Sequence, residues 1–212
     1  MVERYYGRPL PKDGPNPFRC QGFVRGGRIA GQGCASMPIE ALPPFLRALL
    51  VTDGTVTKML EAFFWEPVAV DTLRQDFVIT TAEVPWIEVG PGARVLVRRA
   101  RLRGEDSGLH YAHAFSVIRT ERIPPGFRQR LIDREIGIGA LIRDSGLESY
   151  REVMEVGVDG AGADTDPGTL PADGPGERTD TAPRALFRTY RIIIGRSPVI
   201  LISETFPLEL YA

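Results

Sequence analysis

Two pairs of short segments with strand periodicity, each pair closed by a turn, constrain this chain more than any other feature. Segment 93–103 (ARVLVRRARLR) and segment 110–118 (HYAHAFSVI) flank the turn-like GEDSG. Segment 186–194 (LFRTYRIII) and segment 198–206 (PVILISETF) meet across Gly195, Arg196 and Ser197. Strands joined this tightly pair antiparallel, because a parallel connection needs roughly a dozen residues or more. VAVDTLRQDFVIT (68–80) adds an amphipathic strand, and SYREVMEVGV (149–158) a strand or a helix–strand junction. Helical patterns fall in two blocks. LPPFLRALLVTD and GTVTKMLEAFFWEP form short helices around Asp53-Gly54, with Thr55 as N-cap and Pro67 as stop. IPPGFRQRLIDREIGIGALIRDSGL forms helical pieces after a Pro-Pro start. Blocks of helix beside hairpins predict an α+β fold built on an antiparallel β-sheet, not alternating βαβ units.

Two stretches stand apart. Residues 1–40 are Gly- and Pro-rich without a sustained period, which predicts an irregular N-terminal arm ahead of a single domain over 41–212. Residues 159–183 hold five Gly, four Pro and a lone large aliphatic, Leu170, and are expected to form a disordered surface loop dispensable for folding. That loop carries five Asp and one Glu against one Arg, a net charge of −5; the whole chain carries −1, so the rest carries +4. A mildly basic fold suits a small anionic ligand. It does not suit nucleic acid or an anionic membrane surface as partner.

Several classes of chemistry are unsupported. No apolar run approaches the ~18–20 residues that span a bilayer, and the first twenty residues lack the apolar core of a secretory signal. Cys20 and Cys34 are expected to be free thiols in a reducing cytoplasm. There is no GxGxxG opening a helix, no GxxxxGK[ST], no HExxH and no GxSxG. His110 and His113, three apart on one strand, point to opposite faces and do not make a metal site. Of 26 basic residues only Lys12 and Lys58 are lysines, a bias that points to a GC-rich source rather than to a mechanism.

Strand parity singles out two charges. In segment 94–103 the even positions are the more apolar in their middle, with Arg98 at the centre; in the last strand Glu204 sits on a stripe with Ile200, Ile202 and Phe206. A charge there is costly unless it is paired or faces a ligand. Arg98 and Glu204 therefore either form a buried ion pair or line an apolar cavity that fixes a small carboxylated molecule. In the second case the Arg would fork a carboxylate and the Glu would accept a hydroxyl or move a proton. Thr52, Asp53, Thr55 and Thr57 make a polar knot that either caps the helix or turns its free N–H groups to an anion. Arg188, Arg191 and Arg196 are expected on solvated faces.

Taken together, these blocks resemble the chorismate pyruvate-lyase (4-hydroxybenzoate synthase) family. The resemblance rests on Leu49-Leu50-Val51-Thr52-Asp53-Gly54-Thr55-Val56-Thr57 with Leu60-Glu61, on Val95–Arg98, on Pro124-Pro125-Gly126-Phe127 with Ile138-Gly139, and on a closing hairpin from Arg188 to Pro207. It covers roughly Leu42 to Tyr211. It implies helices folded over a closed internal cavity in which Arg98 binds a carboxylate, Glu204 contacts a ring hydroxyl, and backbone at Val56, Thr57, Ile138 and Gly139 lies against the ligand. It also implies that no metal or organic cofactor is needed. Two departures, Ala112-His113-Ala114-Phe115 and Thr205, predict an altered lining with His113 at the substrate. Three functions stay open at this point. The first is elimination of pyruvate from chorismate to give 4-hydroxybenzoate. The second is a cyclase, dehydratase or isomerase for another carboxylated or polyketide-like molecule of specialised metabolism. The third is a non-catalytic ligand-binding module, although residues 1–40 hold no helix-turn-helix pattern. The oligomeric state is not encoded in any of these features.

Overall fold

The computed structural model describes residues 2–10, 27–52, 54–133, 137–160 and 184–212. Cys20, Asp53 and nearly all of the predicted 159–183 loop lie outside the described residues. Among the described residues, eight strands form one sheet: β1 (Arg28–Gln32), β2 (Met37–Pro38), β3 (Val68–Ile79), β4 (Arg94–Gly104), β5 (His110–Ile118), β6 (Ser149–Asp159), β7 (Ala185–Ile194) and β8 (Ser197–Pro207). Their order across the sheet is β2-β1-β6-β7-β8-β5-β4-β3. Both predicted hairpins are present, β4 with β5 and β7 with β8. The second turns on Gly195 and Arg196, both at positive φ, as a tight two-residue hairpin turn requires.

The N-terminal region departs from its composition. Instead of an irregular arm, β1 adds to the sheet parallel to β6, Ala30 opposite Gly157, so the sheet is mixed rather than wholly antiparallel. The short 3-10 turn Val2–Tyr5 buries Val2 and Tyr5. Five strand residues are too few to show a period when Gly and Pro surround them; β1 forms because an edge of β6 is open to it. Segment 149–158 is strand throughout.

Four helices, α1 (Pro44–Val51), α2 (Val56–Phe64), α3 (Pro125–Ile132) and α4 (Ile138–Ser145), cover one face of the sheet among the described residues. Proline opens α1 and α3, where a missing N–H costs nothing. Helix α2 ends at Phe64, three residues ahead of Pro67, with Trp65 in the left-handed conformation. Leu46, Leu49 and Leu50 of α1 and Leu60 of α2 pack with Leu102, Tyr111, Leu186 and Phe206 at one end of that face. Phe127, Leu131, Leu141 and Ile142 of α3 and α4 pack with Leu96, Ile118, Ile192 and Ile200 at the other. Each such side chain contributes about 1.5–3 kcal/mol when fully buried. The two helix pairs are thus held as separate lids, and between them the sheet is left partly uncovered by the described residues.

Candidate active site

The uncovered part is a cavity of about 70 Å³, several times the roughly 10–15 Å³ a single water needs. Its floor is the even-numbered face of the central strands. Arg98 stands opposite Ser116 and Gln75, and Ala114 opposite Glu204 and Ala100. Arg98, Ala100, Ala114, Ser116, Ile202 and Glu204 all line the cavity. The space exists because the positions between the two charges carry Ala and Ser; Leu there would fill it. Arg98 and Glu204 do not form the buried ion pair that parity allowed. Strand β5 separates them, with a diagonal offset of two residues, which puts their Cα atoms roughly 12 Å apart from strand spacing and rise.

Each charge is held from behind. Arg98 is 3% exposed, and its Nη2 donates to Thr72 Oγ1 at 2.7 Å. Glu204 is 6% exposed; Oε2 accepts from Arg188 Nε at 2.9 Å and Oε1 from the Tyr190 hydroxyl at 3.0 Å. Arg188, expected on a solvated face, is 1% exposed and also donates to the carbonyls of Leu49 and Thr52. The correction has a simple cause. Leu186, Arg188, Tyr190 and Ile192 form the same even-numbered apolar stripe on β7 that marked Glu204 on β8, and the parity argument applies equally there. Arg188 also ties the end of α1 and the start of the α1–α2 link to the sheet, so the polar knot at Thr52 is anchored by this guanidinium. Burial, and then the Glu204 charge, push the Tyr190 hydroxyl above its ordinary pKa, so it stays a proton donor. Arg191 is half-buried, its guanidinium paired with Glu152 at 2.7 Å, while Arg196 is exposed as expected.

Two helix N-termini close the roof. Thr55, Val56 and Thr57 begin α2, Gly137, Ile138 and Gly139 begin α4, and all six line the cavity. Neither N-cap residue, Thr55 or Gly137, makes a side-chain capping bond. First-turn N–H groups have no partner within their own helix, and both helix ends carry partial positive charge, so the roof suits an anionic or electron-rich ligand. The glycine at 139 lets the two helix starts approach closely: a Cβ there would come within 3.1 Å of Thr55 Cγ2, and Thr55 would have to give by a few tenths of an ångström.

His113 is elsewhere. On β5 the cavity face carries Ala114 and Ser116, and His113 alternates with them to the opposite face of the sheet, where its register partner is Thr205. His113 and Thr205 therefore lie side by side behind the sheet, and of the first departure only Ala114 touches the cavity. Arg151 of β6 lines the cavity although parity did not reveal it. A bulge between Val153 and Glu155 flips the alternation, so odd positions face the helices before it and even ones after it.

The family model described as chorismate pyruvate-lyase Rv2949c-like matches residues 50–212. The chain belongs to the chorismate pyruvate-lyase family. It is 32% identical to the chorismate pyruvate-lyase of Mycobacterium leprae (strain TN), over 79% of this chain and 76% of that protein. It is 29% identical to the protein of the same name from Mycobacterium tuberculosis (strain H37Rv), over 79% of this chain and 82% of that one. Membership makes it a lyase. Among solved structures, PhnF from Mycobacterium smegmatis shares the fold with a TM-score of 0.53 at 15% identity, over 76% of this chain and 67% of that one. The separate effector domain of PhnF does so with a TM-score of 0.51 at 16% identity, over 74% and 90%. This lyase thus shares its fold with the effector domain of PhnF. No helix among its described residues is long and apolar enough to cross a membrane.

Proposed function

We propose that this lyase eliminates pyruvate from chorismate and releases 4-hydroxybenzoate. The observation that carries the reading is the pairing, in one cavity, of a buried Arg98 and a buried Glu204 across a floor of Ala100, Ala114 and Ser116. 4-Hydroxybenzoate is a flat ring with a carboxylate at one end and a hydroxyl at the other. Arg98 takes the carboxylate through its planar fork, and Glu204 accepts the hydroxyl hydrogen. The small floor residues admit the ring face.

In chorismate the same hydroxyl is on C4, next to the C3 carbon that carries the enolpyruvyl ether. The C3–O bond breaks with its electron pair going to the departing oxygen. The C4–H pair becomes ring π density as the proton leaves. The proton lost at C4 balances the one gained when enolpyruvate becomes pyruvate. Aromatisation drives the step, so the protein need only orient the ring and stabilise charge on the leaving group. In this pose Glu204, held by Arg188 and Tyr190, would accept from the hydroxyl on C4, the carbon that loses its proton, and the helix starts at Val56 and Ile138 would supply fixed N–H dipoles above the ring.

The test is direct. Purified protein is incubated with chorismate in the presence of a chelator, and 4-hydroxybenzoate and pyruvate are followed together. Equimolar formation of both, well above the uncatalysed rate, is the expected result. A folded protein that forms neither would overturn the reading.

A further inference from the structure

Arg98 and Glu204 account for both ends of 4-hydroxybenzoate, yet a further guanidinium, that of Arg151, also lines the cavity. Arg188 stands behind Glu204 and is paired with it, so among the described residues the guanidiniums that line the cavity are those of Arg98 and Arg151. The strand order puts β7, β8 and β5 between β6 and β4, so Arg151 and Arg98 approach from opposite walls rather than side by side. They also differ in depth: Arg98 is buried at 3% exposure, whereas Arg151 is half-buried. Arg151 stands opposite Ile192, and Val153 opposite Tyr190, so the guanidinium lies on the Tyr190 side of the cavity. Its positive charge reaches the Tyr190 hydroxyl and opposes part of the upward push that burial gives that group. The bulge after Val153 is what turns this position inward.

We propose that Arg151 is a second carboxylate-binding residue, which holds the carboxylate of the enolpyruvyl group while Arg98 holds that of the ring. The inference rests on chorismate being the substrate. Its chemistry requires a dianion that loses one of its two carboxylates with the leaving group. A second guanidinium nearer the solvent fits that half of the molecule, and it would stabilise the charge that appears on enolpyruvate as the C3–O bond breaks.

The experiment compares binding of two probes and turnover of chorismate in wild type, Arg151→Gln, Arg151→Lys and Arg98→Gln. The probes are 4-hydroxybenzoate, with one carboxylate, and 3-(1-carboxyvinyloxy)benzoate, an aromatic mimic with two. Arg151→Gln should weaken the dicarboxylate by tenfold or more, leave 4-hydroxybenzoate within twofold, and lower kcat/KM for chorismate 10- to 100-fold. Arg151→Lys should recover part of each loss, since it keeps charge but not the fork. Arg98→Gln should weaken both probes. Equal weakening of both probes by Arg151→Gln, or no change in either, would overturn the proposal, and thermal melting of each variant identifies loss of fold. If wild type releases no pyruvate, the chorismate reading fails separately. The probe ratio then still shows whether Arg151 discriminates two carboxylates from one.

Discussion

Consecutive cross-strand pairs on β7 and β8 point to opposite faces of the sheet and are built on different principles. Arg188 with Glu204 faces the helices; Thr189 with Ser203 faces away. The first pair is charged, buried and next to an unfilled cavity. The second is neutral, its hydroxyls 3.1 Å apart, under the 3-10 turn that brings in Tyr5 at 1% exposure. Around it Val84, Trp86, Ile87, Phe115, Val117 and Leu201 close the back of the sheet. A hydroxyl pair can be satisfied locally at small desolvation cost, so this face can be packed shut. A carboxylate and guanidinium taken from water cost several kcal/mol each and return little net stability. The fully buried carboxylate–guanidinium pair is kept on the face where a ligand can use it. One face therefore serves binding and the other serves stability.

The largest expected effect tests the charged pair itself. Arg188→Met should lower unfolding stability in urea by about 3–5 kcal/mol, because it leaves Glu204 buried without its counter-ion. The double variant Arg188→Met/Glu204→Gln should regain much of that loss while staying inactive. A cost under 1 kcal/mol for the single variant would show that Glu204 is not confined as described. Next, Arg98→Ala should reduce kcat/KM for chorismate by about 30- to 1000-fold, or about 2–4 kcal/mol, with the protein still folded. An equally large effect from His113→Ala, on the other face, would break the division between the faces.

Ala114→Leu sharpens the contrast, because it adds bulk where the floor is open. The expected result is a tenfold or greater loss of turnover with a melting temperature within a few degrees of wild type. A large fall in melting temperature would mean that the floor is packed. On the back face, Thr189→Ala should cost about 1 kcal/mol of stability, the ordinary worth of a hydrogen bond, and leave kcat/KM unchanged.

The smallest effect lies at the tip of the β4–β5 hairpin. Glu66 accepts from the Tyr111 hydroxyl and from the backbone N–H groups of Ser107 and Asp106 at 2.9 and 2.8 Å, and these bonds, the first above all, hold its carboxyl at about 2. A lowered folded pKa gives stability that is complete above the ordinary carboxylate value, 4.5, and is lost as pH falls towards about 2. Glu66→Gln should therefore flatten the acid side of the stability curve over that window. Activity near neutral pH should not change, because Glu66 is not among the residues lining the cavity.

Much of this was legible without coordinates. Alternation in 94–103 and 198–206 put Arg98 and Glu204 on apolar faces, and short turns between strands gave the hairpins. Both signals are local, set by a two-residue period and by turn length. The tertiary structure decided the rest. A bulge reverses parity, so no alternation rule run along β6 from a single starting residue puts both Arg151 and Val156 on the cavity side, as the fold does. The partner of Glu204 had to be chosen among many arginines; the register shift between Ile192 and Ile193 put Arg188 opposite it, and strand order put β5 between it and Arg98. The N-terminal segment has no period of its own, and its β1 exists because β6 offers an open edge. The cavity itself is an absence of side-chain volume. A sequence shows which residues are small, but whether Ala100 and Ala114 lie under a helix or under open space depends on where α2 and α4 begin.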